Sequence, residues 1–330
     1  MSNLLVGLLG ALLATNQPLA VSHSDSKTAA AATTAAAPDD PVEREYQKLL
    51  ALDDATQATV DQLIRDEEAF NAAGAASPEG LLRDRILVRF KPVREAYEDF
   101  LKRHPNHARA RLAYGSFLND LKEEEAAREQ WEKARQLDPN NPAAWNNLAN
   151  YYGHNGPITN AFAYYTRASE LNPREPLYYH SLGTAVYLFR QEAQAYYQLS
   201  EQEVFDKALD LYARALQLDP DNFPLATDIA QTYYGIRPPR LDDALLAWKY
   251  ALKIARDDIE REGVQVHLAR LKLNAGQFDE ARGHLNLVTN AMYHELKQRV
   301  LRNLETREAE ARGTNPPPAR ATSPTGDQKQ

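Results

Sequence analysis

The side chains best suited to proton transfer or metal binding near neutral pH are the eight histidines. An imidazole changes charge in that range, and its ring nitrogens ligate metals. His104 and His107 share the turn Arg103-His104-Pro105-Asn106-His107, but no third ligand stands near them, and a structural metal site needs about four. His180 and His267 lie in segments of helical pattern, where the polarity of a binding surface accounts for them more simply than catalysis does. The chain has no cysteine, so disulfides and thiolate-bound zinc are excluded. A phosphate-cradling glycine loop, GxSxG and HExxH are all missing from the sequence. The sequence therefore predicts no catalytic residue, no metal site and no cofactor. A catalytic domain would need well over ~100 residues, and no unassigned stretch of that kind remains.

The net charge is −8 over 330 residues. Nucleic-acid binding needs concentrated Lys and Arg to displace phosphate counterions. Here cations alternate with carboxylates, as in Lys122–Glu125 and Arg302–Arg312, the pattern of solvated helix faces. The expected partner is a protein or peptide, not nucleic acid.

The N-terminal residues 1–22 carry an uncharged apolar run, Leu4 to Ala14, of signal-peptide length. It is too short to cross a bilayer as a helix, which takes about 20 apolar residues. Small residues at Ala20 and Ser22 offer cleavage points, but no Lys or Arg precedes the run. This leader favours an exported, periplasmic location over a cytoplasmic one. The alternative is an apolar helix that packs on the rest of the chain or on a membrane surface, the one membrane contact expected. Residues 23–40, rich in Ala, Thr and Ser, read as a linker. Residues 313–330, with Pro316-Pro317-Pro318, read as a tail.

Between these ends the sequence repeats itself. Residues 142–175 show Trp145, Leu148-Ala149, Tyr152, Ala161, Tyr165 and Pro173. Residues 108–141 show Tyr114-Gly115, Leu118, Ala127, Trp131 and Pro139, with Pro139 and Pro173 34 residues apart. The small residues allow two helices to approach, the rings fill the space between them, and proline ends the second helix. Further units read as 74–107, 176–222, 223–258 and 262–292. Caps are expected at 41–73 and 293–312, because an end unit would otherwise expose its apolar face. In the cap after the array, Met292, Leu296, Val300 and Leu304 recur at helical spacing. In the first unit, Pro78 to Phe90 reads as a first helix and the segment with Val93, Tyr97 and Phe100 as a second. The fourth unit carries an insertion near 189–202. There Ser200 and Glu203 have capping-box spacing, so a helix starts near Glu201. The first helix of that unit is expected to run on to Tyr197, with Tyr196 and Tyr197 projecting from one edge.

Residues 74–292 resemble the tetratricopeptide-repeat family, most specifically over the second to fourth units. The resemblance implies an all-α, right-handed superhelical solenoid of helix–turn–helix repeats with helical caps. It also implies a partner segment docked on the concave face of the first helices. Projected onto that face, the candidates are Asn146, Asn147 and Asn150, then His180, Thr184 and Tyr187. Thr227, Asp228, Gln231 and Tyr234 follow, then His267 and Arg270. Amide and hydroxyl groups can pair with the backbone of an extended peptide. The Lys/Arg carboxylate clamp of chaperone-binding members is not matched, since the equivalent positions hold Leu112, Ser116, Asn146 and Asn150. An asparagine ladder like that of sugar-transferase arrays is not continued beyond Asn147, whose equivalents are Ala113, Ser181, Asp228 and His267. The functional expectation is a non-enzymatic scaffold. Its alternatives are an extracytoplasmic assembly factor for an envelope or secretion complex, or a non-catalytic subunit of an enzyme.

Overall fold

The computed structural model describes residues 5, 6, 8, 9, 40–74 and 80–313. The linker, the tail beyond Gly313 and most of the leader fall outside the described residues. Among the described residues, regular structure is helical, and the helices group into two compact units. One covers residues 22–185, and the other covers residues 186–330 together with 1–21.

The first unit begins with α1 (Pro41–Ala72), capped by Asp40, whose carboxylate accepts from the Val42 amide at 2.9 Å, with Pro41 in the first turn. Then come α2 (Leu81–Arg103), α3 (Ala108–Asp120), α4 (Glu124–Leu137), α5 (Pro142–Asn155), α6 (Ile158–Leu171) and α7 (Pro176–Leu188). The unit boundary falls inside α7. Helices α3 and α4 pair, as do α5 and α6, and the first helices α3 and α5 also touch. The pairing explains the small residues. A Cβ at Gly115 would stand 2.5 Å from the Trp131 ring, so the ring of α4 rests directly on the α3 backbone. Ala149 and Ala161 are buried between α5 and α6. Asn141 caps α5, accepting from the Ala143 amide at 3.0 Å, and Pro142 occupies the first turn.

The start of the array differs from expectation. Two helices were expected, Pro78 to Phe90 and a second with Val93, Tyr97 and Phe100. Pro78 lies outside the described residues, and the described stretch forms one continuous helix, α2, with Pro92 inside it. A proline there removes the amide that would bond the carbonyl four residues back. That residue is Val88, 70% exposed, so its carbonyl stands at the solvated side of the helix. The partner of α2 is instead the long helix α1, whose Tyr46, Leu49 and Val60 share one core with Val93, Tyr97 and Phe100. Tyr97 closes this contact by donating to the Asp53 carboxylate at 2.7 Å.

The second unit takes the end of α7, then α8 (Arg190–Tyr197), α9 (Glu201–Leu218), α10 (Phe223–Thr232), α11 (Leu241–Ile254), α12 (Asp258–Asn274) and α13 (Phe278–Asn286). It closes with a 3-10 turn (Ala291–Tyr293) and α14 (His294–Ala311). The first helix of the fourth repeat therefore stops at Leu188 and does not continue to Tyr197. The backbone breaks at Phe189, and the short α8 folds onto α9, where Ala193 is buried. The capping box forms as the spacing predicts: the Ser200 side chain and the Glu203 amide, and the Glu203 side chain and the Ser200 amide, bond reciprocally. In the cap, Val300 and Leu304 join a core with Val266, Ala269, Leu285 and Val288, and Leu296 packs against it. Met292 instead is 68% exposed, because it lies in the 3-10 turn before α14, off the helical register of the other three. Leu5 and Leu9, at helical spacing in the leader, are also buried in this unit.

Candidate functional site

In the first unit the expected face is built from α3 and α5. Asn147 donates its amide to the Ser116 hydroxyl across the two first helices at 3.4 Å. One turn on, Asn150 is exposed and accepts from the Tyr165 hydroxyl of α6 at 2.6 Å. Burial pushes that hydroxyl up to about 12, so it stays a donor. The face is polar and uncharged, with amide and hydroxyl groups fixed by neighbours. Two neighbouring positions lie deeper than the helical projection puts them. Asn146 is 5% exposed, its side-chain oxygen buried without a hydrogen-bond partner. Leu112 is core. A single-helix projection does not contain the neighbouring helices that bury them. His180 and Thr184 on α7 are half-buried.

The two histidines of the sequence turn have structural partners. His107 caps α3, its Nδ1 accepting from the Ala110 amide at 3.0 Å, and His104 meets the Glu45 carboxylate at 3.3 Å. Among the described residues, no three His, Asp or Glu side chains converge as metal ligands.

In the second unit the candidates divide. Tyr187 lies on the end of α10, where a Cβ at Gly235 would collide with its hydroxyl. Thr227 donates to the Pro224 carbonyl at 2.8 Å within its own helix, while Asp228 and Gln231 are exposed. Tyr234, His267 and Arg270 come together, and they do so on Trp248. The imidazole of His267 stacks on the indole with centroids 4.0 Å apart and planes 6° from parallel. Its Nδ1 lies 3.1 Å from the Tyr234 hydroxyl, and the Arg270 guanidinium sits 4.8 Å above the Tyr234 ring. Burial first, then the Arg270 charge, lowers the His267 pKa to about 4, so the ring is neutral at pH 7. Trp248 is buried in the core of this unit, and its second role as the platform for His267 carries no signal in sequence spacing.

On the insertion edge, Tyr196 is 43% exposed. Tyr197 is half-buried, with the Lys207 ammonium 4.3 Å from its ring. The two rings meet edge to face. Tyr196 alone projects as expected.

Paired helices with a small residue facing a ring, proline at the unit ends, and no assembled catalytic or metal centre among the described residues define a helical-repeat protein. Residues 108–151 and 142–175 match sequence models of the tetratricopeptide repeat. Residues 108–175 thus carry tetratricopeptide-type repeats, and the architecture of the described residues is all-α. No curated protein matches it. Among solved structures, it is similar to YrrB, described as a repeat protein of this kind with an unusual peptide-binding site, at 16% identity and a TM-score of 0.48, over 63% of this chain and 98% of that one. It is also similar to PilF of Pseudomonas aeruginosa, at 16% identity and a TM-score of 0.49, over 78% of this chain and 99% of that one. A third is TTC0263 of Thermus thermophilus, at 23% identity and a TM-score of 0.42, over 60% and 98%.

Proposed function

We propose that this protein is a non-enzymatic scaffold that holds an extended segment of a partner protein against the faces of its first helices. Tetratricopeptide repeats are protein-interaction modules, and this chain carries them. The observation that carries the finer reading is the Asn147–Ser116 bond. It lines up uncharged donors and acceptors of adjacent first helices on one face, the chemistry that pairs with a peptide backbone irrespective of side-chain charge. The test is a cross-linked pull-down from native cells, comparing the wild type with a variant in which Asn147, Asn150, Asp228 and Gln231 are all alanine. Recovery of a partner by the wild type and its loss by the variant, at equal helicity, supports the scaffold reading. Equal recovery by both moves the interface to Tyr196 or to the outer faces.

The apolar leader supports an extracytoplasmic location for this scaffold. The alternative, a retained leader packed on the repeats, draws on the burial of Leu5 and Leu9. The N-terminal sequence of the protein from its native cell separates them. A chain starting near Val21 or His23 supports export, and one starting at Met1 or Ser2 overturns it.

A further inference from the structure

The hairpin of α1 and α2 outgrows the repeats. Its helices run 32 and 23 residues, against 13 and 14 in α3 and α4. At the α-helical rise these are about 48 and 35 Å against about 20 Å. The core that the hairpin shares with α3 stops at Val60 on α1 and Phe90 on α2, with Ile64 and Ile86 partly covered beside it. Phe90 meets Phe117 close to the end of α3. Beyond that level, over residues 61–72 and 81–89, Glu67 alone is buried.

The face left open there is patterned. On α1, Leu63, Glu67 and Phe70 follow one another by four and three residues, and on α2, Leu81, Arg85 and Val88 do the same. That spacing keeps each trio on one face of its helix. Arg85 and Glu67 join the two faces across the hairpin at 3.7 Å, so the apolar residues flank an ion pair. Phe70, Leu81 and Val88 are exposed, Phe70 at 51%. Helix α3 lies on the other side, because Phe90, two residues on from Val88 and so turned away from it, faces Phe117. Large apolar side chains grouped in this way mark an interaction surface.

The charges around the face identify what covers it. Over 61–72 four carboxylates, Asp61, Asp66, Glu67 and Glu68, stand against one cation, Arg65. Over 81–91 four cations, Arg83, Arg85, Arg89 and Lys91, stand against one carboxylate, Asp84. Arg83, Arg89 and Glu68 form no ion pair among the described residues. One helix is acidic and its neighbour basic, so two copies of the face are complementary when α1 of each lies on α2 of the other. A two-fold axis produces that arrangement, since it pairs one patch with itself. An anionic membrane would meet the acidic helix together with the basic one.

We propose that the outer ends of α1 and α2 are a self-association surface, on which a second copy of this chain packs to complete an antiparallel four-helix bundle. Phe70, Leu81 and Val88 of both copies form its core, and the two Glu67–Arg85 pairs lie at its middle. The second copy supplies the layer that the tip of the hairpin lacks. Nothing in this depends on the reading of the first-helix faces as the partner surface.

Sedimentation velocity and light scattering of the full-length protein, over a series of concentrations, test it. The expected species is a dimer of the 37.1 kDa chain. Phe70→Glu and Val88→Glu each put a carboxylate into the bundle core and should weaken the dimer by about tenfold or more. Leu137→Glu, at an exposed apolar position of α4, should leave it unchanged. Leu81→Gln, at the first residue of α2, repeats the test without a new charge. Unaltered helicity of each variant separates lost association from lost folding. The charge pattern is tested with two further chains, one carrying Arg83→Glu, Arg89→Glu and Lys91→Glu, the other Asp61→Lys, Asp66→Lys and Glu68→Lys. Each should be monomeric alone, and the two should form a dimer when mixed. A wild type that is monomeric at every concentration overturns the proposal, as does a dimer indifferent to Phe70→Glu, Leu81→Gln and Val88→Glu. Flotation with phosphatidylserine vesicles is run alongside. A monomeric wild type that floats, and a Val88→Glu variant that does not, assign the face to a membrane surface and overturn self-association. Reversed chains that stay monomeric when mixed overturn the pairing of α1 on α2.

Discussion

The faces of the two units use the same repeat positions for different chemistry. In the first unit, α3 and α5 present Ser116, Asn147 and Asn150, small neutral groups held by single hydrogen bonds. In the second, the turn after α10 and helix α12 present Tyr234, His267 and Arg270, large groups of which His267 stacks on a buried indole and Arg270 lies over the Tyr234 ring. The repeat constrains the residues between helices, where a ring must meet a small residue, and leaves the outward positions of the first helix open. One scaffold can therefore carry two chemically different faces. The cost is also unequal. The neutral face is added to a core that stands without it, whereas the aromatic face shares Trp248 with its core.

That inequality is tested most strongly by Trp248→Ala. The side chain is 1% exposed, and truncating a fully buried tryptophan costs about 3–5 kcal/mol through lost burial and the cavity left behind. Urea unfolding should show this loss. Unchanged stability would mean that Trp248 serves as a platform for His267 and not as core. Next in size is Gly115→Ala. The added Cβ meets the Trp131 ring at 2.5 Å, and overpacking of this kind costs about 1–3 kcal/mol. It should destabilise the first unit without changing any binding to the second unit's aromatic face.

A pH test follows from His267. Its pKa in the folded protein, about 4, lies below the ordinary 6.5. Between these values the unfolded chain binds the extra proton, so stability is full above pH 6.5 and falls as pH drops toward 4. At pH 5 the loss is about 2 kcal/mol. His267→Gln should flatten that part of the stability–pH curve. His107 is also lowered by burial, so the wild type should retain some slope from the first unit, and the difference between the two proteins is the quantity to measure. A variant with the same slope as the wild type would show that His267 is solvated.

Much of this was legible in the sequence, and the exceptions have physical causes. The pairings α3–α4 and α5–α6 follow from fixed small and aromatic positions, and the α9 start follows from Ser200 and Glu203, because each depends on contacts only a few residues apart. The continuity of α2 through 81–103 was hidden because Pro92 looks like a helix breaker. It is tolerated because the residue that loses its bond, Val88, faces outward. Asn146 and Asn147 are adjacent and alike in type, yet one is buried and the other bridges to Ser116. Only the position of the neighbouring helix separates them, and no single-helix projection contains it. The meeting of Tyr234 and His267 at Trp248 depends likewise on α11, α12 and the turn after α10.

The smallest expected effects sharpen the comparison from the other side. Asn147→Ala removes one hydrogen bond of 3.4 Å at a partly open site, and Arg270→Gln removes an exposed guanidinium without a carboxylate partner among the described residues. Neither substitution opens a cavity or strands a buried charge, so each should lie within about 0.5 kcal/mol of the wild type in urea unfolding. Binding should respond to Asn147→Ala, with weaker recovery of the partner segment in the pull-down. If Asn147→Ala cost more than about 1 kcal/mol in stability, its bond to Ser116 would be part of what holds α3 to α5. The polar face of the first unit would then be a packing interface, and the contrast with the second unit would be one of packing rather than of recognition.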